Sequence, residues 1–319
     1  MHTRAERKML PSMKQSFLRR LLESVVILIG VALLIFIMLR VIPGNPIETM
    51  MGEHASQSTI DRMTAELGLD QPIHIQFFRY ISGALRGDFG TSYSLGKPVS
   101  SLMGSAFGNT LKLSVMASLF AWAIGILCGV LSAVRKGGPA DHIFMGFSLL
   151  GVSMPVFMTA MILQFFFGYY LHWLPISGSG SWLNFVLPAV ALGWNSAGAI
   201  SRLTRSTLLD VLQEDYIETA RAKGLTQSAV VIFHALRNTM LPVVTMMAIQ
   251  FSGMLSGAVI TETVFSINGI GRLAVQAISG RDIPLLQGTV LFSTAVVILG
   301  NLAADSLYSV LDPRIRKEA

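Results

Sequence analysis

The chain has 319 residues, of which 52% are hydrophobic and 13% charged, with a mean hydropathy of +0.59 and a net charge of +6. Soluble globular chains carry about 25% charged residues, so composition excludes a soluble enzyme, and the excess of apolar surface excludes an intrinsically disordered chain. With 29 Gly, 12 Pro and a single Cys, collagen-like and disulfide-built classes also fail, which leaves an integral membrane protein with several spans.

About 20 apolar residues carry a helix across the hydrocarbon core. Six stretches qualify: Leu21 to Leu39, Leu113 to Val134, Ile143 to Leu171, Trp182 to Ser201, Thr239 to Thr261 and Ile283 to Ala304. The third is long enough to tilt or kink and contains Pro155; the fourth is weaker, with Asn184, Pro188 and Asn195. Runs of this length are helices rather than short alternating barrel strands. The first exceeds the usual 7–15 apolar residues of a secretory signal and is followed by Ile42-Pro43-Gly44-Asn45-Pro46, so it reads as a retained span. Cys128 lies inside the second span and reads as a small core residue.

The basic residues are unevenly placed. Arg4, Arg7, Lys8, Lys14, Arg19 and Arg20 precede the first span; Arg135 and Lys136 follow the second; Arg202, Arg205, Arg221, Lys223 and Arg237 lie between the fourth and fifth; Arg314, Arg316 and Lys317 end the chain. These are 16 of the 24 Lys and Arg. The opposite loops hold Arg62, Arg79, Arg86, Lys97, Arg272 and Arg281. The positive-inside rule then places both termini in the cytoplasm, which six spans also require. A nucleic-acid partner is excluded, because the basic residues are split among membrane-proximal loops.

The resulting organisation is a cytoplasmic segment (1–20), a first transmembrane helix (21–42), an extracytoplasmic helical segment (43–108), a core of five transmembrane helices (109–308) with an inner loop at 202–238, and a cytoplasmic tail (309–319). Within the outer segment, Ser58-x-x-Asp61 reads as a helix cap followed by Ile60, Met63 and Leu67 on one face and a stop at Gly68. Pro72 opens a second amphipathic stretch with Ile73, Phe77, Ile81 and Leu85. A small helical cap on the outer face is expected.

The inner loop 202–238 carries the clearest local signals. Asp215 and Glu218 have capping-box spacing, Gly224 suits a left-handed position after a helix, and Arg221 and Lys223 complement the dipole of the last turn. A helix of about two turns, Tyr216 to Lys223, is expected between them. Thr226 can cap a further helix bearing Val230, Phe233 and Leu236. A short capped helix held away from the membrane suits docking into a groove on a partner.

Glu218-Thr219-Ala220-x-x-x-Gly224 resembles the "EAA" loop of binding-protein-dependent ABC importer permeases, and the string Glu214 to Gly224 followed by His234-Ala235-Leu236-Arg237-Asn238 is similar to the peptide/nickel branch. Further marks of that branch are Pro43-Gly44-Asn45-Pro46, Leu67 to Pro72, Gly87-Asp88-Phe89-Gly90, Glu262-x-x-Phe265, Gly269-Ile270-Gly271, Arg281-Asp282-x-Pro284 and Asp312 to Arg316. Two positions depart from the pattern. Thr219 replaces the middle Ala, and Ile267-Asn268 stand where Trp-Pro is usual.

The resemblance implies an all-α permease of type I ABC importer architecture in the bacterial cytoplasmic (inner) membrane, importing di- or oligopeptides, with glutathione, nickel or a metal chelate as alternatives. It implies no catalysis and no bound cofactor in this chain. ATP and Mg would be used by two separate ATP-binding subunits, beside a second homologous permease subunit and an extracytoplasmic solute-binding protein. Asp215, Tyr216, Glu218, Thr219, Ala220, Arg221, Ala222, Lys223 and Gly224 would form the coupling segment seated on the ATPase. The Gly90 to Lys97 stretch has the wrong spacing for a nucleotide-binding loop.

Other candidates are weaker. Asn195, Gln250 and Met254 are candidates to line a path, or equally to satisfy or fill a helix contact. Gly253-x-x-x-Gly257 matches a close-packing pattern, between permease subunits or within one. Glu262 and Asp305 stand near span ends, where structural pairing is favoured over proton relay. His2, His54, His74, His142, His172 and His234 have no i, i+4 partner, so no metal site is legible. A secondary transporter would need mid-span ionisable groups or an inverted repeat, and neither occurs.

Overall fold

The computed structural model describes residues 13–41, 58, 61, 64–65 and 68–311, with side chains placed over 21–41, 58, 61, 64–65 and 68–304. The Pro43–Pro46 string, Ile60, Met63 and Leu67, the Asp305 side chain and the terminal Asp312–Arg316 string lie outside them.

Helix α1 (Met13–Val41) is one uninterrupted helix. It buries Ala32 and Phe36 and leaves Val26, Leu34, Met38 and Val41 exposed, the pattern of a helix solvated by lipid on most of its circumference. Helix α2 (Ile73–Leu85) starts at Pro72, as the sequence indicates, and packs on α1 through Phe77 and Tyr80 against the Phe36 ring.

Helix α3 (Val99–Val134) is 36 residues long, or about 54 Å, well beyond the roughly 30 Å hydrocarbon core. The apolar run starts only at Leu113 because one face of the outer extension carries Ser101, Ser105 and Lys112. The other face carries Val99, Met103 and Ala106, buried under Ile270, Leu273 and Leu285. Amphipathic packing thus extends the helix past its apolar span.

The expected third span is broken. Helices α4 (Pro139–Ser153) and α5 (Val156–Tyr170) meet at 109°. Met154 takes an extended conformation, as the residue before Pro155 must, and the last turns of α5, Gln164–Tyr170, widen to a π-helix. Helix α6 (Trp182–Val211) opens with a capping box in which Asn184 Oδ1 accepts from Ser181 N at 3.0 Å. The Asn184 that weakens this span in the sequence is therefore its cap. The helix runs ten residues beyond Ser201 because Ile200, Thr204 and Leu208 are buried along α3. A Cβ on Gly129 of α3 would lie 2.6 Å from Ser201 O, so only glycine allows that approach.

Helix α7 (Asp215–Ala222) follows. Helix α8 (Gln227–Leu255) begins and ends earlier than the expected Thr239–Thr261 span, with a π segment at Val230–Ala235. The chain turns at Gly257, whose φ is +113°, into the short helices α9 (Val259–Val264) and α10 (Ile270–Ser279). Helix α11 (Ile283–Leu311) closes the bundle against α1 and α8.

One buried anchor ties the outer loops together. Asp282, fully buried, accepts from Ser92 Oγ at 2.6 Å, Ser94 N at 2.9 Å and Leu285 N at 3.2 Å. Burial pushes this carboxyl up, but the hydrogen bonds outweigh it and leave it below the ordinary carboxylate value. A folded-state value below the unfolded one stabilises the fold above the unfolded value, near about pH 4, and that contribution is lost as pH falls through the folded value. Thermal unfolding in detergent should lose stability below about pH 4, with a smaller loss in Asp282→Asn. An identical pH dependence in the two proteins would count against this anchor.

Candidate functional site

The inner loop forms a two-turn helix held on a small apolar foundation. In α7, Ile217 is fully buried and Ala220 nearly so, packed with Ala133, Leu208, Val230, Val231 and Ala235. Every other residue from Asp215 to Gly224 is exposed. The buried pair sits three residues apart, on one face of a helix, so Asp215, Glu218, Thr219, Ala222 and Lys223 necessarily point outward. Tyr216 is braced from the side: its hydroxyl accepts from Asn238 Nδ2 at 2.8 Å. Gly224 has φ +79°, the left-handed turn anticipated at this position, and Thr226 Oγ1 accepts from Ala229 N to start α8.

The expected Asp215–Glu218 capping box does not form. Glu214 is the N-cap residue, with ψ 145° and no side-chain cap bond, and Asp215 is already helical. Glu218 is left with its carboxylate outward, beside Asp215 in the first turn, where negative charge complements the dipole.

Beneath this loop, α3, α4 and α6 are clamped together. Asp141, at the start of α4, is 6% exposed and takes both Nε and Nη2 of Arg205 on α6, at 2.8 and 2.7 Å. Ser132 Oγ on α3 and Gly137 N also donate to it. Sequence reading missed this pair because its members stand 64 residues apart. The only available signal was an Asp just after Pro139 at the start of an apolar run. A groove of 530 Å³ opens beside the clamp between α4, α6 and α8, lined by Met145, Val152, Arg202, Arg205 and Met246 among others.

The candidate path residues separate. Asn195 donates to Gly151 O and Val152 O at 3.3 and 3.4 Å, so it satisfies carbonyls that the α4 break leaves free. Met254 is buried in a core with Leu113, Phe185 and Phe265 and accepts from Ser118 Oγ. Gln250 is half-buried, with an Oε1 that has no hydrogen-bond partner. The Gly253–Gly257 pattern is not a helix face, since α8 ends at Leu255. Gly253 looks onto open space, whereas a Cβ on Gly257 would lie 2.9 Å from Gly271 N.

Glu262 is fully buried. It accepts from Thr110 Oγ1 at 2.7 Å and from Arg272 N at 3.0 Å, at the N-terminus of α10. Structural pairing is thus its role in this fold. His142 and His172 bond backbone oxygens of Gly138 and Gly168, and among the described residues no three His, Cys, Asp or Glu side chains group to hold a metal.

Residues 125–317 match the family described as binding-protein-dependent transport system inner membrane component, and residues 13–122 match the family of its N-terminal part. The chain belongs to this permease family. The permease is 42% identical over 299 residues to the glutathione transport system permease protein GsiC of Salmonella typhimurium, covering 94% of this chain and 98% of that one. It is 40% identical over 299 residues to the same-named protein of Escherichia coli K12, with the same coverage. It is also 39% identical over 307 residues to the probable peptide ABC transporter permease protein y4tP of Sinorhizobium fredii, again with the same coverage. Among solved structures it resembles a chain of the inward-facing MetNI methionine ABC transporter, with TM-score 0.58 and 19% identity, covering 66% of this chain and 96% of that one. That likeness shares the fold. The permease is a multi-pass membrane subunit without catalysis of its own, and its family implies ATPase and solute-binding partners.

Proposed function

We propose that this permease imports glutathione or short peptides across the cytoplasmic membrane, driven by ATPase subunits that dock on α7. One observation carries the reading: a two-turn helix fixed to its own subunit by buried Ile217 and Ala220 and by the Asn238–Tyr216 hydrogen bond, with its remaining side chains turned outward. A rigid protruding helix of this kind transmits force from whatever holds its outer face. The substrate class follows the printed functions of the relatives that match along nearly the whole chain.

In the complete importer this chain pairs with a second homologous permease, and two ATP-binding subunits sit beneath them. A solute-binding protein delivers from outside, and both termini of this chain are cytoplasmic. ATP-driven closure of the ATPases moves α7, and the clamp at Asp141–Arg205 passes that motion to α3, α4 and α6.

The test is uptake and assembly in cells lacking only this chain. Glu218→Arg with Ala222→Arg alters two outward positions and no buried one. It should abolish co-purification of the ATPase subunits and reduce uptake of labelled glutathione and dipeptide to background, at unchanged membrane abundance. Retained ATPases with retained uptake would sink the docking assignment. Uptake of nickel alone by the wild type would sink the substrate assignment.

A further inference from the structure

A second site lies at the other end of the molecule. A cleft of 680 Å³ opens where α1 ends, between α1, α2, the 87–96 loop and the start of α11. Arg40, on the last turn of α1, lies over the Phe36 ring at 3.4 Å and donates to Phe36 O and Gln76 Oε1. Both acceptors are uncharged. Arg79 of α2 also lines the cleft, its guanidinium lying across Gly68. Asp88 lines the cleft as well, its Oδ1 accepting from Gly90 N at 2.9 Å. Gln287 of α11 lines the same cleft, is 7% exposed, and has an Nε2 with no hydrogen-bond partner. An unpaired donor that is nine-tenths buried costs stability unless something fills it. Tyr80 and Tyr93 complete the wall, and burial pushes both phenols up to about 12, so at neutral pH they are uncharged O–H groups. Beside Asp88, whose carboxylate is engaged by Gly90 N, the cleft offers two cations and an orphan amide donor, a net positive lining that suits a phosphate group.

Its position selects the carrier of that phosphate. On the face of α1 that carries Arg40, Leu33 and Ile37 are exposed one and two turns before it, an apolar track leading to the guanidinium. A soluble anion would use the donors and leave this track idle; a phospholipid uses both. We infer that the cleft between α1, α2 and α11 binds an outer-leaflet phospholipid, its phosphodiester on Arg40, Arg79 and Gln287 and its acyl chains along α1. The lipid then holds α1 and α2 against α11, beside the Tyr80 O–H that donates to Gln287 O at 3.2 Å.

The test is native mass spectrometry of the purified importer carried through detergent exchange, then offered phosphatidylethanolamine or phosphatidylglycerol. Glycerophosphoethanolamine and inorganic phosphate serve as chain-free controls. The wild type should retain a phospholipid and neither control. Arg79→Gln, whose side chain braces nothing else described, should lower retention about tenfold, the loss expected for one charge-assisted contact. Arg40→Lys keeps the charge but loses the fork, and should lower retention to an intermediate level. Unchanged retention in Arg79→Gln would overturn the site. Binding of either control as tightly as the phospholipid would overturn its assignment to lipid. None of these readouts depends on the transported substrate.

Discussion

Gly269→Ala is expected to prevent the permease from accumulating as a folded protein. A Cβ at this position would sit 2.3 Å from both Cδ and Oε1 of Glu262, and Glu262 is fully buried. The carboxylate cannot retreat, because it is held at 2.7 Å by Thr110 Oγ1 on α3 and at 3.0 Å by Arg272 N on α10. Thr110 Oγ1 in turn accepts from Ile270 N at 2.9 Å. Two of the orphan N–H groups at the start of α10 are thus satisfied by this knot. Steric overpacking costs about 1–3 kcal/mol, and each buried donor left unpaired costs about 1–3 kcal/mol more, against a total stability of about 5–15 kcal/mol.

Membrane abundance and thermal unfolding in detergent check the ranking. Gly269→Ala should be the most damaging, Glu262→Leu next, and Thr110→Val milder, since it leaves Glu262 the Arg272 N–H. A Gly269→Ala permease with wild-type unfolding temperature and uptake would refute this account of α10.

Arg205→Met should cost about 3–5 kcal/mol, the expected penalty for leaving a buried charge without its partner. Asp141 is 6% exposed, and after the substitution it would keep Ser132 Oγ and Gly137 N but no positive charge. The combined Asp141→Leu, Arg205→Met variant should recover most of that loss, because a buried pair replaced by apolar groups of similar volume is often neutral. The comparison is a double-mutant cycle read by unfolding temperature. Its second readout is uptake. If the clamp carries motion from α7 to α4, the double variant should fold near normally and still transport poorly. A double variant that folds and transports like the wild type would confine the pair to stability.

The membrane class, and the position of α7 to within one residue, could be read from the sequence, because both rest on local signals: apolar runs, and a Gly after a short charged segment. The N-cap falls one residue before the expected one, so no capping box forms: Glu214 is the N-cap without a side-chain bond and Asp215 is already helical. That start is set by Ile217 and Ala220, which must face Leu208 and Val231 across the loop. The helical spacing read at Gly253–Gly257 does not continue, for a related reason. Spacing presumes that a helix continues, and α8 stops at Leu255 because the following turn packs Gly257 against Gly271.

The break between α4 and α5 shows the limit most clearly. Pro155 announced a kink in a 29-residue apolar run, yet composition cannot distinguish a tilt from a 109° turn. The turn persists because Asn195 on α6 takes the freed carbonyls of Gly151 and Val152. The deepest charges were equally hidden. Glu262, Asp282 and Asp141 stand far apart in the sequence from Thr110, from Ser92 with Ser94, and from Arg205 respectively, and each is the centre of a polar knot.

The scarcity of charge, 13% of residues, determined by itself that this chain lives in a bilayer, because burial of apolar surface depends on composition. Which of the few charges face water and which lock helices together was decided by the tertiary structure alone, because a buried carboxylate is stable only where the fold brings donors to it.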